Sequence, residues 1–174
     1  MVRLQETTAM SLDYTCYALA KRPLSPGKIA GASPDWLIEF VDSDSGKPLH
    51  KSRALPPFCL VWGCPRSARL DLVALVRAGN HGLLESQRRR WLGCCELEVE
   101  SAFEADPEFL ADLARRHRRI LAQAGSRYDT RTAAGRSDLS WRLQIAVCRA
   151  VALAVGGLLE EPQMGTFRAV AARG

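Results

Sequence analysis

The chain has 174 residues, 47% apolar and 25% charged, with 24 lysines and arginines against 19 acids and a formal net charge of +5. These are ordinary globular values: they exclude an intrinsically disordered chain, and the length supports one core without covalent staples. Most of the positive charge is arginine, which with the many Ala, Gly and Leu residues reflects composition bias before phosphate recognition.

Residues 1–11 are expected to form a loose leader. The opening MVRLQETTAMSLDY holds no apolar stretch of the kind a secretory signal needs. Six cysteines (Cys16, Cys59, Cys64, Cys94, Cys95 and Cys148) lie mostly inside apolar runs, where a free thiol acts as a small hydrophobe. A reducing, cytoplasmic location is therefore expected. Tyr14 to Leu19 (YTCYAL) is aromatic-rich and reads as a first strand. Pro23, Pro26 and Gly27 then break the chain, with one helical turn expected near Ser25–Ala30. Trp36 to Val41 (WLIEFV) is a second strand and Asp42 to Pro48 (DSDSGKP) a turn. Phe58 to Trp62 is a third strand, closed by Gly63 and Pro65.

Ser67 is placed to cap a helix through Ala78, although alternation in Arg69–Leu72 leaves a strand open there. Gly82 to Trp91 is ambiguous, a short helix being one reading, and it carries Arg88, Arg89 and Arg90. Cys94 to Ser101 (CCELEVES) alternates cleanly. Cys95, Leu97 and Val99 face one side and Glu96, Glu98 and Glu100 the other, as a half-buried strand requires. Asp106-Pro107 opens a helix expected to run through Gln123, with Leu110, Leu113, His117, Ile120 and Leu121 on one stripe. Gly125 to Gly135 reads as a polar, arginine-containing loop.

The most informative stretch follows. Ser137 is a natural N-cap, and from Leu139 to Val155 the apolar positions leave only Arg142 and Arg149 as a polar edge. A helix apolar on most sides is buried. Arg149 interrupts the run, which falls short of the roughly 20 residues a membrane span needs. Gly156 and Gly157 end the helix, Leu158 and Leu159 begin a short strand, Glu160–Gly165 turns, and Thr166–Val170 returns. The prediction is a single α+β domain over residues 1–174. Its mostly antiparallel sheet comes from the N-terminal half and Cys94–Ser101, with helices packed on one face and a C-terminal hairpin.

No stretch spells out a catalytic or ligand-binding motif. Cys59 and Cys64 with Cys94 and Cys95 could be assembled into a four-thiolate zinc site. Yet the first pair sits at the edge of the usual spacing, and adjacent cysteines rarely both ligate one ion, so no metal and no cofactor are expected. His50 and His81 fall in expected loops, and His117 on an apolar stripe, so none marks a thiol nucleophile's base. An enzyme with a dispersed site is the least favoured class.

Charge is more telling. From Gly93 to Asp112 there are seven acids and no basic residue, flanked by Arg88–Arg90 and by Arg115, Arg116, Arg118 and Arg119. The bland reading is a solvated face with local ion pairs, each contributing at most about 1 kcal/mol. The functional reading is a partner-binding surface built from Glu96, Glu98, Glu100, Arg88, Arg89, Arg90, Arg115 and Arg119. A nucleic-acid-binding module acting through the arginines is the second choice, because no aromatic residues interleave with them and the acids repel phosphate.

The opening YTCYALAKRPL, the Trp36 strand, the acid-faced strand and the exit GGLLEEPQMG together resemble small bacterial immunity proteins. Those proteins neutralise toxins delivered by type VI or contact-dependent systems. The resemblance is one of layout over most of the chain. It implies a non-enzymatic protein that binds and blocks one cognate toxin, with no catalytic residues to carry over. Such proteins are often acidic, so the +5 here argues against a basic nuclease as the toxin.

Overall fold

The computed structural model describes residues 13–68, 92–132, 137–161 and 165–173. The expected leader, most of the 67–78 helix, the 82–91 segment and Arg88–Arg90 lie outside these residues. Within them, seven strands form one sheet: β1 (Asp13–Ala18), β2 (Trp36–Val41), β3 (Phe58–Pro65), β4 (Gly93–Ser101), β5 (Ser126–Arg131), β6 (Gly157–Glu161) and β7 (Thr166–Val170). Their order is β2-β3-β4-β5-β1-β6-β7, with every neighbouring pair antiparallel. The helices are α1 (Pro26–Gly31), α2 (Pro107–Ala111), α3 (Arg115–Gln123) and α4 (Asp138–Val155), and Arg66–Ala68 makes one 3₁₀ turn. The architecture is α+β, as predicted.

α4 starts where the sequence places it. The Ser137 side chain accepts from the Ser140 backbone N–H, and Asp138 sits in the positively polarised first turn. It ends at Gly156, whose φ of +80° is strained for any residue with a Cβ. Leu143, Val147, Ala150 and Val151, at most 1% exposed, press against Cys16, Val61, Leu97, Val99 and Tyr128 of the sheet. The helix also sends polar groups inward. Gln144 donates to the Thr130 carbonyl at 2.7 Å and accepts from the Thr132 hydroxyl, while Ser140 Oγ accepts from the Cys94 N–H. These bonds satisfy groups whose unpaired burial costs roughly 1–3 kcal/mol each.

The approach is close because Gly63 and Gly93 are paired across β3 and β4 beneath the first turns of α4. A Cβ on Gly93 would lie 2.6 Å from the Leu139 carbonyl oxygen, and one on Gly63 2.5 Å from a Leu143 methyl. Backbone cannot move aside as a side chain can, so Gly93 is the stricter of the two.

Three expectations are corrected. Gly125–Gly135 is not a loop throughout: Ser126–Arg131 is β5, an interior strand between β4 and β1. Its inward residues are Ser126, Tyr128 and Thr130, all 0% exposed, so the inward side lacks the apolar signature of a strand. Their hydroxyls are satisfied: Ser126 donates to the Ala20 carbonyl, Thr130 to that of Tyr14, and Tyr128 accepts from the Leu24 N–H at 2.8 Å. Second, the helix expected from Asp106 to Gln123 is two. Ala114 has an extended ψ of 142°, and Arg118 Nη2 donates to the carbonyls of Ala111 and Leu113 at the break. Third, helices cover both faces. α1 and α4 share one face, whereas α2 and α3 pack on the reverse. There Tyr17, Phe103, Leu113, Leu121 and Leu158 form a second cluster.

Cys16, Cys59, Cys64, Cys95 and Cys148 are buried, and Cys94 only partly. Strand alternation sends Cys59 and Cys95 towards α4 and Cys64 to a separate cluster on the reverse face. The four-thiolate arrangement weighed from sequence therefore does not converge. Burial pushes the Cys59 and Cys148 thiols up to about 12. The unfolded chain ionises them near the ordinary 9.0, so their contribution to stability is complete below that pH. It is lost as pH rises from there towards 12, by up to about 1.4 kcal/mol per pH unit for each group.

Two outcomes are expected. Gly93→Ala lowers stability in urea by about 1–3 kcal/mol through overpacking, whereas Gly31→Ala, where an added methyl meets nothing, does not. Urea midpoints fall as pH rises above 9, and the fall is shallower in Cys148→Ala; a flat profile would contradict the buried thiols.

Candidate functional site: an acidic sheet face

The acidic ladder stands as the alternation predicts, with Cys95, Leu97 and Val99 buried towards α4 and Glu96, Glu98 and Glu100 exposed on the reverse face. Its answering cations are not those of α3. Arg127 and Arg131 project from β5 on the same face, opposite Glu100 and Glu96 in register. Arg127 pairs with Glu100 at 3.2 Å and with Asp129 at 2.8 Å; Arg131 reaches Asp13 at 3.4 Å and Glu98 at 3.8 Å. The sequence reading missed these two arginines because it placed them in a loop. Once β5 is a strand, period-two spacing of Arg127, Asp129 and Arg131 is the signal that finds them.

A hydrogen-bonded row continues across the sheet. Thr15 donates to Asp129 at 2.6 Å and Tyr17 to Glu160 at 2.5 Å. Burial and the bond to Glu160 push the Tyr17 phenol well above its ordinary value, so it stays a donor. For Arg127, partial burial opposes the charge, but the Asp129 and Glu100 carboxylates outweigh it and raise its pKa. Its guanidinium also lies 5.8 Å from the Phe103 ring centroid, which fixes its position further.

On this face β1, β4, β5 and β6 present six carboxylates (Asp13, Glu96, Glu98, Glu100, Asp129 and Glu160) and two guanidiniums. Six negative charges against two positive leave −4, in a chain whose total is +5. Among the described residues Glu96 has no cation within 4.0 Å. Phe58, opposite Glu98 in register and on the same face, is 42% exposed. The face thus joins a partly neutralised acid row to an exposed aromatic ring.

α3 stands to one side, over β6 and β7. Arg115, Arg116 and Arg119 line an open groove with Ile120, while Arg118 is committed to the carbonyls of Ala111 and Leu113. Arg115 and Arg119 are therefore exposed on the same side of the molecule as the ladder without being paired to it. His117 is half-buried, its ring 6.1 Å from that of Phe167, a boundary packing role. His50 lies in an exposed turn, hydrogen-bonded to Ser52. Among the described residues no group of three or more His, Cys, Asp or Glu side chains is arranged to hold a metal ion. Among them, too, no helix is long and apolar enough to cross a membrane.

The two cations are not equivalent. Arg127→Gln is expected to cost roughly 1 kcal/mol at low salt, after allowing for its 36% exposure, because it leaves Asp129 and Glu100 unanswered. Arg131→Gln, at 49% exposure and longer distances, is expected to cost less. Urea titrations at low and high salt test the order, and equal losses would contradict it.

No protein-family model, curated protein or solved structure matches the chain.

Proposed function

We propose that the protein acts by binding another protein through the reverse face of its sheet, as a cytoplasmic immunity protein that neutralises a cognate bacterial toxin. The observation that carries this reading is the excess of acid on that face beside exposed Phe58. An acid row half-neutralised from within gains little for the fold, since like charges along a strand repel. It does supply a long-range field that steers a basic surface, and an exposed aromatic ring supplies the anchor such interfaces use. The local charge of the face, rather than the net charge of the chain, sets the partner's sign. The toxin surface it meets is therefore basic, which revises the inference drawn from the overall +5. The biological setting is proposed from the resemblance of the sequence layout to immunity proteins.

A second reading, nucleic-acid binding, draws on the exposed groove of Arg115, Arg116 and Arg119. It is disfavoured by the acidic strands on the same side, which repel phosphate.

The experiment compares capture from the native host by the wild type and by the Glu96→Gln, Glu98→Gln, Glu100→Gln triple variant. The captured protein is then co-expressed with each form. A basic toxin is expected, its toxicity relieved by the wild type and less by the triple variant, with slower association and a weaker salt dependence. Glu96→Gln alone, which breaks no ion pair, is expected to keep full stability and still slow association. Equal capture, salt response and protection by the triple variant would remove this face from the function.

A further inference from the structure

On the opposite side of the sheet lies a second feature that the acidic face does not explain. α4 and the segment after α1 enclose a cleft of about 290 Å³, lined by residues that include Asp35, Trp36, Arg142, Arg149 and Arg173. Arg142 and Arg149 are seven residues apart, two turns of α4, so their side chains leave the same face at successive levels. Arg173 comes from the end of the chain. Its backbone N–H donates to the Leu153 carbonyl at 2.8 Å, which ties it beside the last turn of α4. Arg142 is held with its guanidinium 5.8 Å from the centroid of the Trp36 ring. The floor between them is apolar, from Ile145, Ala146, Ala150 and Leu153.

Among the described residues none of these three arginines has a carboxylate within 4.0 Å. Nor does the helix dipole account for them. Arg142 lies near the positive end of α4, where a cation is disfavoured, and Arg149 lies ahead of the last turn, where a cation would be favoured. The Arg142 guanidinium is held over Trp36, the Arg173 backbone is tied to α4, and all three arginines border one concavity with an apolar floor. All three are exposed residues, so their guanidiniums are open to a ligand arriving from solvent.

We infer that this cleft binds a small phosphomonoester. The lining carries three guanidiniums and one carboxylate, a net +2 that a phosphomonoester matches with its charge of about −1.5 to −2 at neutral pH. Guanidinium forks fit phosphate oxygens in pairs, which gives the site its preference for phosphate over a carboxylate of lower charge. The volume lies at the lower limit of ligand pockets, which run from about 300 Å³ upward, so the organic part is small. It lies over Ala146 and Leu153, with Trp36 at the rim. Asp35 opposes the ligand and sets a limit on affinity.

The test is a titration of the isotope-labelled protein with phenyl phosphate, followed by NMR, with inorganic phosphate, acetate and a short single-stranded DNA as comparisons. Saturable binding of phenyl phosphate in the millimolar range or tighter is expected, with shifts at the Trp36 indole and the Arg149 and Arg173 amides. Acetate should bind far more weakly. Arg149→Gln and Arg173→Gln should each weaken binding about tenfold, while Asp35→Asn should tighten it, an effect that general destabilisation cannot mimic. Affinity should fall as pH drops through about 6, where the phosphate takes up its second proton. Absent saturation, shifts elsewhere, or unchanged affinity in the Arg142→Gln, Arg149→Gln, Arg173→Gln variant would overturn the inference. Tighter, equally arginine-dependent binding of the DNA would overturn it too, assigning the cleft to nucleic acid. None of these outcomes bears on the acidic face, whose variants lie on the other side of the sheet.

Discussion

The near-contact of α4 with the sheet is the constraint on which the rest depends. Backbone meets backbone where Gly93 passes under Leu139, and Ser140 and Gln144 bond directly to β4 and β5. An approach this close leaves no room for variation in the helix's tilt or register. It fixes which residues of β1, β3, β4 and β5 face inward, and period-two alternation then dictates the reverse face. The acid row and its two arginines are exposed because Leu97, Val99, Tyr128 and Thr130 are committed to α4.

The same helix links both surfaces. Its inner side sets the register of the acidic face, and its outer side carries Arg142 and Arg149 into the cleft. Charge is thereby sorted by surface: carboxylates outnumber guanidiniums six to two on the reverse face of β1, β4, β5 and β6, whereas the cleft beside α4 carries three guanidiniums and one carboxylate. A total of +5 describes neither. Each surface has its own field over the short range that physiological salt allows, roughly 8 Å.

What was legible in the sequence follows a physical division. β2, β4, β7 and α4 announce themselves, because each has one apolar side with the right period and a cap or turn at its end. Trp36–Val41, Ser137 and Gly156 were all readable in this way. β5 was not, since its inward side is Ser126, Tyr128 and Thr130, buried by hydrogen bonds rather than by apolar character. A pattern method that weighs hydrophobicity has nothing to weigh there. Missing β5 also concealed the partners of the acid row, so the ladder was found and its cations were not. The break between α2 and α3 was equally hidden. Leu110, Leu113, Ile120 and Leu121 of the expected stripe still meet in the Tyr17 and Phe103 cluster, so the apolar pattern carries no mark of the bend at Ala114. The cleft arginines were visible only as a polar edge, since nothing local shows that Trp36 and Arg173 come to meet them.

The strand order carries a kinetic consequence. β1 lies between β5 and β6, with Cys16 facing Tyr128 on one side and Leu159 on the other. Local pairings can build the β6–β7 hairpin early, but β1 must wait for partners from the far end of the chain. Such long-range closure is slow, because the loop entropy is spent before the contacts reward it. Until then both edges of a strand bearing Tyr14, Cys16 and Tyr17 stay open, which is the state most exposed to wrong pairing with another copy. The two halves of the sheet become one only through β1, so the first of the described strands relies on partners from the far half of the chain.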